Sequence, residues 1–102
     1  MIKHIVMWKL KDNAAGSDKA ENAKRMKNKL EALQDKISEL HKIEVGITML
    51  EQDGESISDI VLTTEFKTQS DLKTYAVHPA HQEVVNFIKE VVSERRVVDY
   101  IL

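Results

Sequence analysis

The period at which apolar residues recur changes along this chain, and the order of the changes restricts the fold more than any other feature. Residues 2–10 predict a strand, with a mainly apolar face at every second residue from Ile2 to Leu10 and a second face that is apolar in its middle, at Ile5 and Met7. Spacings of three and four residues then predict one long amphipathic helix that begins at Asp18 and continues to residue 40. Alternation returns over 41–51 and again over 57–67, which predicts two more strands.

The long helix has a clear start signal and a single apolar stripe. Asp18 and Glu21 have the spacing of a capping box, and Ser17 is a competing N-cap. The stripe that this helix would bury consists of Ala23, Met26, Leu30, Leu33, Ile37 and Leu40. One buried stripe on an otherwise charged helix indicates that the helix packs against a sheet.

Turn-forming residues divide the second half of the chain. Asp53-Gly54, between the second and third predicted strands, is typical of a tight antiparallel hairpin. Residues 69–77 predict a short helix, which ends at His78-Pro79 because the residue before a proline avoids the helical region. Pro79 is suited to open a new helix over about 80–93, and 95–102 predict a final strand.

The resulting order is β-α-β-β-α-β, which indicates an α+β, ferredoxin-like fold with a four-stranded antiparallel sheet and both helices on one face. At 102 residues the chain has the size of a single domain, residues 1–102. Ile5, Met7 and Val61 would make the opposite face of the sheet apolar. A two-fold homodimer with sheet packed on sheet would cover that face.

Charge and cysteine content exclude several classes of function. The 15 Lys and Arg residues nearly balance the 17 Asp and Glu residues, which argues against a nucleic-acid-binding protein and a polybasic membrane-surface protein. The absence of cysteine excludes disulfides, thiolate catalysis and Cys-ligated metal centres. The apolar run at the N-terminus is too short for a signal peptide or a membrane helix, so a cytoplasmic location is expected.

The acid–base candidates at neutral pH are 4 histidines, two of which lie in the segment His78-Pro79-Ala80-His81. His78 is expected at the N-cap, where it either orders the helix break or contacts a ligand. His81 falls in the first turn of the following helix, above its apolar stripe. The His81 ring is either a core group bonded to a backbone carbonyl or a general base at the wall of a pocket.

Two more side chains have both a structural and a functional interpretation. His4 is the lone polar residue on its face of the first strand, so it needs a hydrogen-bond partner. Tyr75 precedes the helix break and is either a packing residue or a donor beside His81. A metal site is not expected, because Pro79 places one of His78 and His81 outside the helix and no third ligand is evident. No cofactor is expected either.

The sequence resembles the stress-responsive dimeric α/β-barrel family, abbreviated Dabb, over nearly its whole length. The resemblance rests on the opening IKHIVMWKLKD, the hairpin end TTEFKT, the segment DLKTYAVHPAHQEVVNFIKEVV and the terminal VVDY. It implies a dimer in which two ferredoxin-like sheets close into a barrel. The family includes stress-induced, very stable assemblies and a plant polyketide cyclase that catalyses an aldol closure without a cofactor.

Carried over from the motif of that cyclase, the catalytic residues would be His81, Tyr75 and His4. The position of a further cyclase histidine, early in the third strand, is occupied by Asp59. The resemblance implies a small, partly apolar ligand and, for an enzyme, a cofactor-free lyase or cyclase that removes a proton next to a carbonyl. His81 would be the base, Tyr75 would donate to the developing oxyanion, and His4 would position substrate or water.

The candidates for further ligand contacts are His78, Trp8, Val84 and Ile88. Two other functions fit the same family: a non-catalytic, stress-related structural dimer and a monooxygenase of the antibiotic-biosynthesis or haem-degrading type. A cavity that touches both His81 and Tyr75 would favour the cyclase or lyase. A filled core at that place would favour the structural dimer.

Overall fold

Four strands form one antiparallel sheet in the computed structural model of the chain, which describes residues 1–48 and 58–102. In chain order the strands are β1 (Ile2–Leu10), β2 (Asn13–Ala14), β3 (Ser17–Asp18), β4 (Lys42–Ile47), β5 (Ile60–Phe66) and β6 (Val92–Ile101). β2 and β3 pair only with each other, and the main sheet has the order β4-β5-β1-β6. The predicted ferredoxin-like α+β fold is confirmed, with every neighbouring pair antiparallel.

Three helices pack on one face of this sheet: α1 (Lys19–Glu31), α2 (Gln69–Val77) and α3 (Pro79–Val91). Asp18 is the N-cap of α1, because its carboxylate accepts a hydrogen bond from the Glu21 amide at 2.8 Å. Thr68 caps α2 by the same kind of bond to the Asp71 amide. None of the helices in the described ranges is long and apolar enough to cross a membrane.

The first helix is shorter than predicted, although its apolar stripe is buried as expected. Helix α1 ends at Glu31, and a 3-10 turn at Ala32–Asp35 replaces the α-helix predicted to residue 40. Beyond that turn, the amides of Ile37 and Leu40 bond to the carbonyls of Leu33 and Ile37, at 3.0 and 3.1 Å. A spacing of three residues suits a 3-10 turn as well as an α-helix, so the stripe stays buried while the chain turns towards β4.

The other boundaries differ from the predictions by a few residues. β4 and β5 pair in antiparallel register, as predicted. The predicted turn at Asp53-Gly54 lies outside the described residues, as do the predicted strand positions 49–51 and 57. β6 begins at Val92 instead of residue 95, because the chain pairs with Leu10 of β1 directly after α3 ends.

The two faces of the sheet are covered differently. The inner face, under the helices, contributes the buried side chains of Val6, Trp8, Leu10, Ile60, Leu62 and Phe66. The opposite face, here called the open face, carries half-buried Ile5, Met7 and Val61 and exposed Val98 and Tyr100. Within the described part of the chain no layer covers the open face, and an apolar face of this kind is typical of an interaction surface.

Candidate active site

The break between α2 and α3 is built by His78 and Pro79. His78 has an extended backbone (φ −63°, ψ 135°), and its Nδ1 accepts a hydrogen bond from the Ala80 amide at 3.1 Å. Pro79 is the first residue of α3, where an amide proton would have had no intrahelical partner. The chain therefore leaves the helical path after Val77, and the carbonyls in the last turn of α2 need other partners.

The Ala76 carbonyl, which lies in that last turn, is bonded by side chains of α3. It accepts hydrogen bonds from His81 Nδ1 at 3.0 Å and from the side-chain amide of Gln82 at 2.7 Å. Because a carbonyl oxygen only accepts, the proton of the neutral His81 ring lies on Nδ1. Nε2 then keeps its lone pair, as a general base requires.

The surroundings of His81 keep its ring neutral. Burial lowers the pKa of His81 below the ordinary imidazole value of 6.5. The hydrogen bond to the Ala76 carbonyl raises this pKa, and interactions with His4, Arg95 and His78 lower it further. Since the lowering effects dominate, His81 is unprotonated at neutral pH and can accept a proton.

Tyr75 lies against His81 and is almost completely buried, with 1% of its surface exposed. Its ring centroid is 4.3 Å from that of His81 and 5.1 Å from that of Phe66. Among the described residues the Tyr75 hydroxyl has no hydrogen-bond partner, and burial raises its pKa. The hydroxyl therefore stays protonated and remains available as a donor.

A cavity of about 530 Å³ lies beside these two rings, lined by β1, β5, β6 and the three helices. Its apolar wall includes Val6, Leu30, Leu62, Leu72, Val85 and Ile88. Its polar and charged lining consists of His4, Trp8, Tyr75, His81, Lys89 and Arg95. A mainly apolar wall with a few polar groups, at a volume within roughly 300–1,000 Å³, is typical of a small-molecule site.

Trp8 also lines the cavity and carries a second buried donor. Its side chain is 4% exposed, and its indole Nε1–H has no hydrogen-bond partner in the described ranges. An unpaired buried donor costs about 1–3 kcal/mol, and native structures contain few of them. Both residues that carry these donors, Trp8 and Tyr75, line the cavity, and a ligand that reaches the donors would have to present hydrogen-bond acceptors.

His4 is held in place from the neighbouring strand. Its Nδ1 is hydrogen-bonded to the carboxylate of Asp99, which lies directly opposite His4 in the register of β1 and β6. The carboxylate accepts this bond, which fixes the orientation of the imidazole ring at the cavity wall. Asp99 is therefore the partner that the isolated polar position of His4 required.

The amino-acid sequence of the chain matches a known protein family. Residues 2–102 match the family model described as Stress responsive A/B Barrel Domain, or Dabb. The chain belongs to the Dabb family. Among curated proteins none matches it in sequence.

Several solved structures share the fold of this Dabb protein. A dimeric protein of unknown function from Bacteroides fragilis is 39% identical, with a TM-score of 0.85 over 99% of this chain and 95% of that chain. A Dabb protein from Mesorhizobium loti is 22% identical, with a TM-score of 0.71 over 99% and 95%. A hydroxynitrile lyase from Passiflora edulis is 16% identical, with a TM-score of 0.81 over 99% and 92%. At these two lower identities the likeness shows the fold alone.

The cavity of the Dabb domain brings together five of the predicted site residues, namely His81, Tyr75, His4, Trp8 and Ile88. These residues come from β1, α2 and α3, which are distant in the sequence. The sequence interpretation of His81 as a group bonded to a backbone carbonyl is confirmed by its hydrogen bond to Ala76. The same bond leaves Nε2 for a second role, so the structural and functional interpretations of His81 are compatible.

Two predicted ligand contacts, His78 and Val84, lie outside the cavity lining. The imidazole Nδ1 of His78 is occupied by the Ala80 amide, because Pro79 makes His78 the N-cap. Val84 is buried on another side of α3, beside Asn28 of α1. The apolar stripe of α3 is wide enough to contact both α1 and the cavity. The sequence does not show which residues of the stripe contact α1 and which line the cavity.

Three charged residues that line or support the site were missed by the sequence interpretation: Asp99, Lys89 and Arg95. Their part in the site depends on strand register and helix rotation, for which the sequence of β6, VSERRVVDYI, offers no clear alternation. Asp59, which replaces the further cyclase histidine, is engaged elsewhere: it accepts from the Leu10 amide at 2.8 Å and lies 3.5 Å from the Lys19 ammonium. In the part of the chain that is described, no three His, Asp or Glu side chains cluster as metal ligands.

The pKa of His81 predicts a loss of stability in mild acid. The unfolded chain has the ordinary value of 6.5 and the folded chain a lower one, so protons bind the unfolded state first. The contribution of His81 is complete above this ordinary value and is lost as the pH falls through the folded value. Urea unfolding at about pH 7 and about pH 5 should therefore show a smaller loss for His81→Gln than for the wild type.

The matched control for this experiment is His41→Gln, because His41 is exposed. This variant should keep the full pH dependence of the wild type. Equal pH dependence of the wild type and His81→Gln would contradict the lowered pKa of His81.

The unpaired hydroxyl of Tyr75 predicts that its removal does not destabilise the fold. Tyr75→Phe should leave the free energy of unfolding unchanged or raise it by up to about 1 kcal/mol, because a desolvated donor is removed while the ring is kept. Chemical denaturation measures the change, with Tyr100→Phe on the open face as the control. A loss of more than about 1 kcal/mol would show that the hydroxyl is bonded in the folded protein.

Proposed function

We propose that this Dabb protein binds a small, partly apolar carbonyl compound in the cavity and removes a proton next to the carbonyl without a cofactor. The observation that carries the proposal is that one cavity is lined by a neutral His81 and by Trp8 and Tyr75, whose buried donors have no partner among the described residues. A base and hydrogen-bond donors near the same carbonyl group are what enolisation requires.

In the proposed reaction, His81 Nε2 takes the proton from the carbon beside the carbonyl. The electron pair of the broken C–H bond moves into the new C=C bond, and the carbonyl oxygen becomes an enolate oxyanion. The Tyr75 hydroxyl and the Trp8 indole N–H donate to this oxyanion, whose charge strengthens both hydrogen bonds in the transition state. In an aldol closure the enolate carbon then attacks a second carbonyl carbon, the electron pair of that C=O bond moves onto its oxygen, and the His81 imidazolium returns its proton to this alkoxide. Without a second carbonyl, the imidazolium protonates the enolate carbon again.

The proposed role of His4 is to position the substrate or a water molecule. Its ring lines the cavity and is fixed by Asp99, so its reach is limited to one wall. Asp99 acts through His4 and is a positioning residue. The hydroxynitrile lyase from Passiflora edulis shares the fold at 16% identity, which is too low to transfer its reaction to this chain. The proposed chemistry therefore rests on the cavity residues of this chain.

Proton exchange tests this function without knowledge of the natural substrate. Benzylacetone, a small apolar ketone, is dissolved in heavy water, and NMR follows the replacement of the protons beside its carbonyl by deuterium. The wild type should accelerate the exchange, and His81→Gln should lower the catalysed rate by about 100-fold or more, since the base is lost. His41→Gln is the matched control and should keep the wild-type rate.

Each alternative function gives a different result in the same set of measurements. Binding of benzylacetone without proton exchange would contradict catalysis and leave a ligand-binding protein. No binding by the ketone would favour the non-catalytic, stress-related structural dimer. Oxygen uptake with a hydroquinone, or loss of added haem, would instead support a monooxygenase.

We also propose that two copies pair through the open face to form the barrel of the family. The face is apolar at its centre, and the Bacteroides fragilis relative at 39% identity is described as dimeric. Its edge is charged, as in the ion pair of Lys3 with Glu65 at 3.6 Å. An apolar centre with a polar rim is the usual composition of a dimer interface.

Adjacent valines on β6 provide a matched test of this dimer. Val97 and Val98 are 47% and 50% exposed, and they project from opposite faces of the same strand. Val98→Lys places a charge in the proposed interface and should convert the dimer to a monomer, as measured by sedimentation velocity at micromolar concentration. Val97→Lys should remain dimeric. A wild-type monomer, or equal dimers of both variants, would contradict pairing through the open face.

A further inference from the structure

We infer that Lys89 and Arg95 form an anion subsite in the cavity and that the natural ligand is a partly apolar carboxylate. The inference deepens the proposed function and rests on it in one respect, namely that the cavity binds a small molecule. It adds the chemical class of that molecule and the side chains that recognise it.

The two cationic residues reach the cavity from different elements. Arg95 lies opposite Trp8 in the register of β1 and β6, so both side chains project from the inner face of the sheet. Lys89 is one helical turn after Val85 on α3, and both of these residues line the cavity. A strand and a helix therefore each place one positive charge at the same cavity.

The charge of the cavity is not balanced within the described ranges. None of the described Asp and Glu residues lines it, and neither Lys89 nor Arg95 forms an ion pair with a described residue. Asp99 is engaged by His4, and Glu94 is opposite Lys9 on the other face of the sheet. Arg95 is one of the charged groups that lower the pKa of His81, so the guanidinium charge acts on the ring of the proposed base. Two cations without a carboxylate favour an anionic ligand.

A carboxylate suits this subsite because of the residues around it. The planar guanidinium of Arg95 can hold both oxygens of a carboxylate, and the Lys89 ammonium can add a further charge-assisted bond. The rest of the wall is apolar, including Val85 and Ile88, so the body of the ligand should be hydrocarbon. A carbonyl group elsewhere in the same molecule would then meet Trp8, Tyr75 and His81.

Binding of a charged ligand and its neutral analogue tests the subsite. The probes are β-benzoylpropanoate and its methyl ester, which share the aryl ketone and differ in the charge of one group. Isothermal titration of the wild type should give a dissociation constant about tenfold lower for the carboxylate. Arg95→Gln and Lys89→Gln should each weaken carboxylate binding by about five- to tenfold and leave ester binding unchanged.

Lys73→Gln is the control, because Lys73 is an exposed cation on α2 that lies outside the cavity lining and away from the open face. It should bind both probes like the wild type. Thermal melting confirms that all three variants are folded.

The outcomes separate this inference from the proposed function. Equal affinity of the wild type for acid and ester, with proton exchange of benzylacetone intact, would overturn the anion subsite alone. No binding of either probe, together with no exchange, would overturn the proposed function as well. Tighter binding of phenyl phosphate than of β-benzoylpropanoate would assign the two cations to a phosphate and overturn the carboxylate.

Discussion

The hydrogen bond from His81 Nδ1 to the Ala76 carbonyl is the interaction on which the chemistry of this protein depends. It exists because Pro79 ends α2 and starts α3, which leaves the Ala76 carbonyl without a helical partner. Because this carbonyl can only accept a hydrogen bond, the proton of the neutral His81 ring lies on Nδ1. A constraint of the backbone is thereby converted into the tautomer that a general base needs.

The core beside the cavity is well packed, but it leaves two buried polar groups without hydrogen-bond partners among the described residues. Most inner-face side chains pack among apolar neighbours, yet Trp8 and Tyr75 keep buried donors without partners in the described part of the chain. Such groups lower stability, and sites that bind or react are where folded proteins tolerate them. In this Dabb domain the residues that carry these donors come from β1 and α2 and line the same cavity as His81, so the sheet and the helix break together shape one site.

Local patterns in the sequence predict most of the fold, but they do not predict which residues of neighbouring strands contact each other. Alternation and helical spacing identify the order of elements, and the proline identifies the helix break. The predicted end of α1, at residue 40, was wrong, because a spacing of three residues also fits the 3-10 turn at Ala32–Asp35. Asp99 and Arg95 were missed because their partners on β1 depend on the register of β6, which is a long-range property. Val84 was placed at the site because the width of an apolar stripe does not show which neighbour each residue faces.

The protonation of His81 at neutral pH is the most direct measure of this mechanism. Long-range proton–nitrogen correlation NMR of the wild type, with His81 assigned by comparison with His81→Gln, distinguishes the two ring nitrogens. The hydrogen bond to Ala76 and the lowered pKa predict a neutral ring with the proton on Nδ1 and none on Nε2. An imidazolium at neutral pH, or a neutral ring protonated on Nε2, would contradict the assignment of His81 as the base.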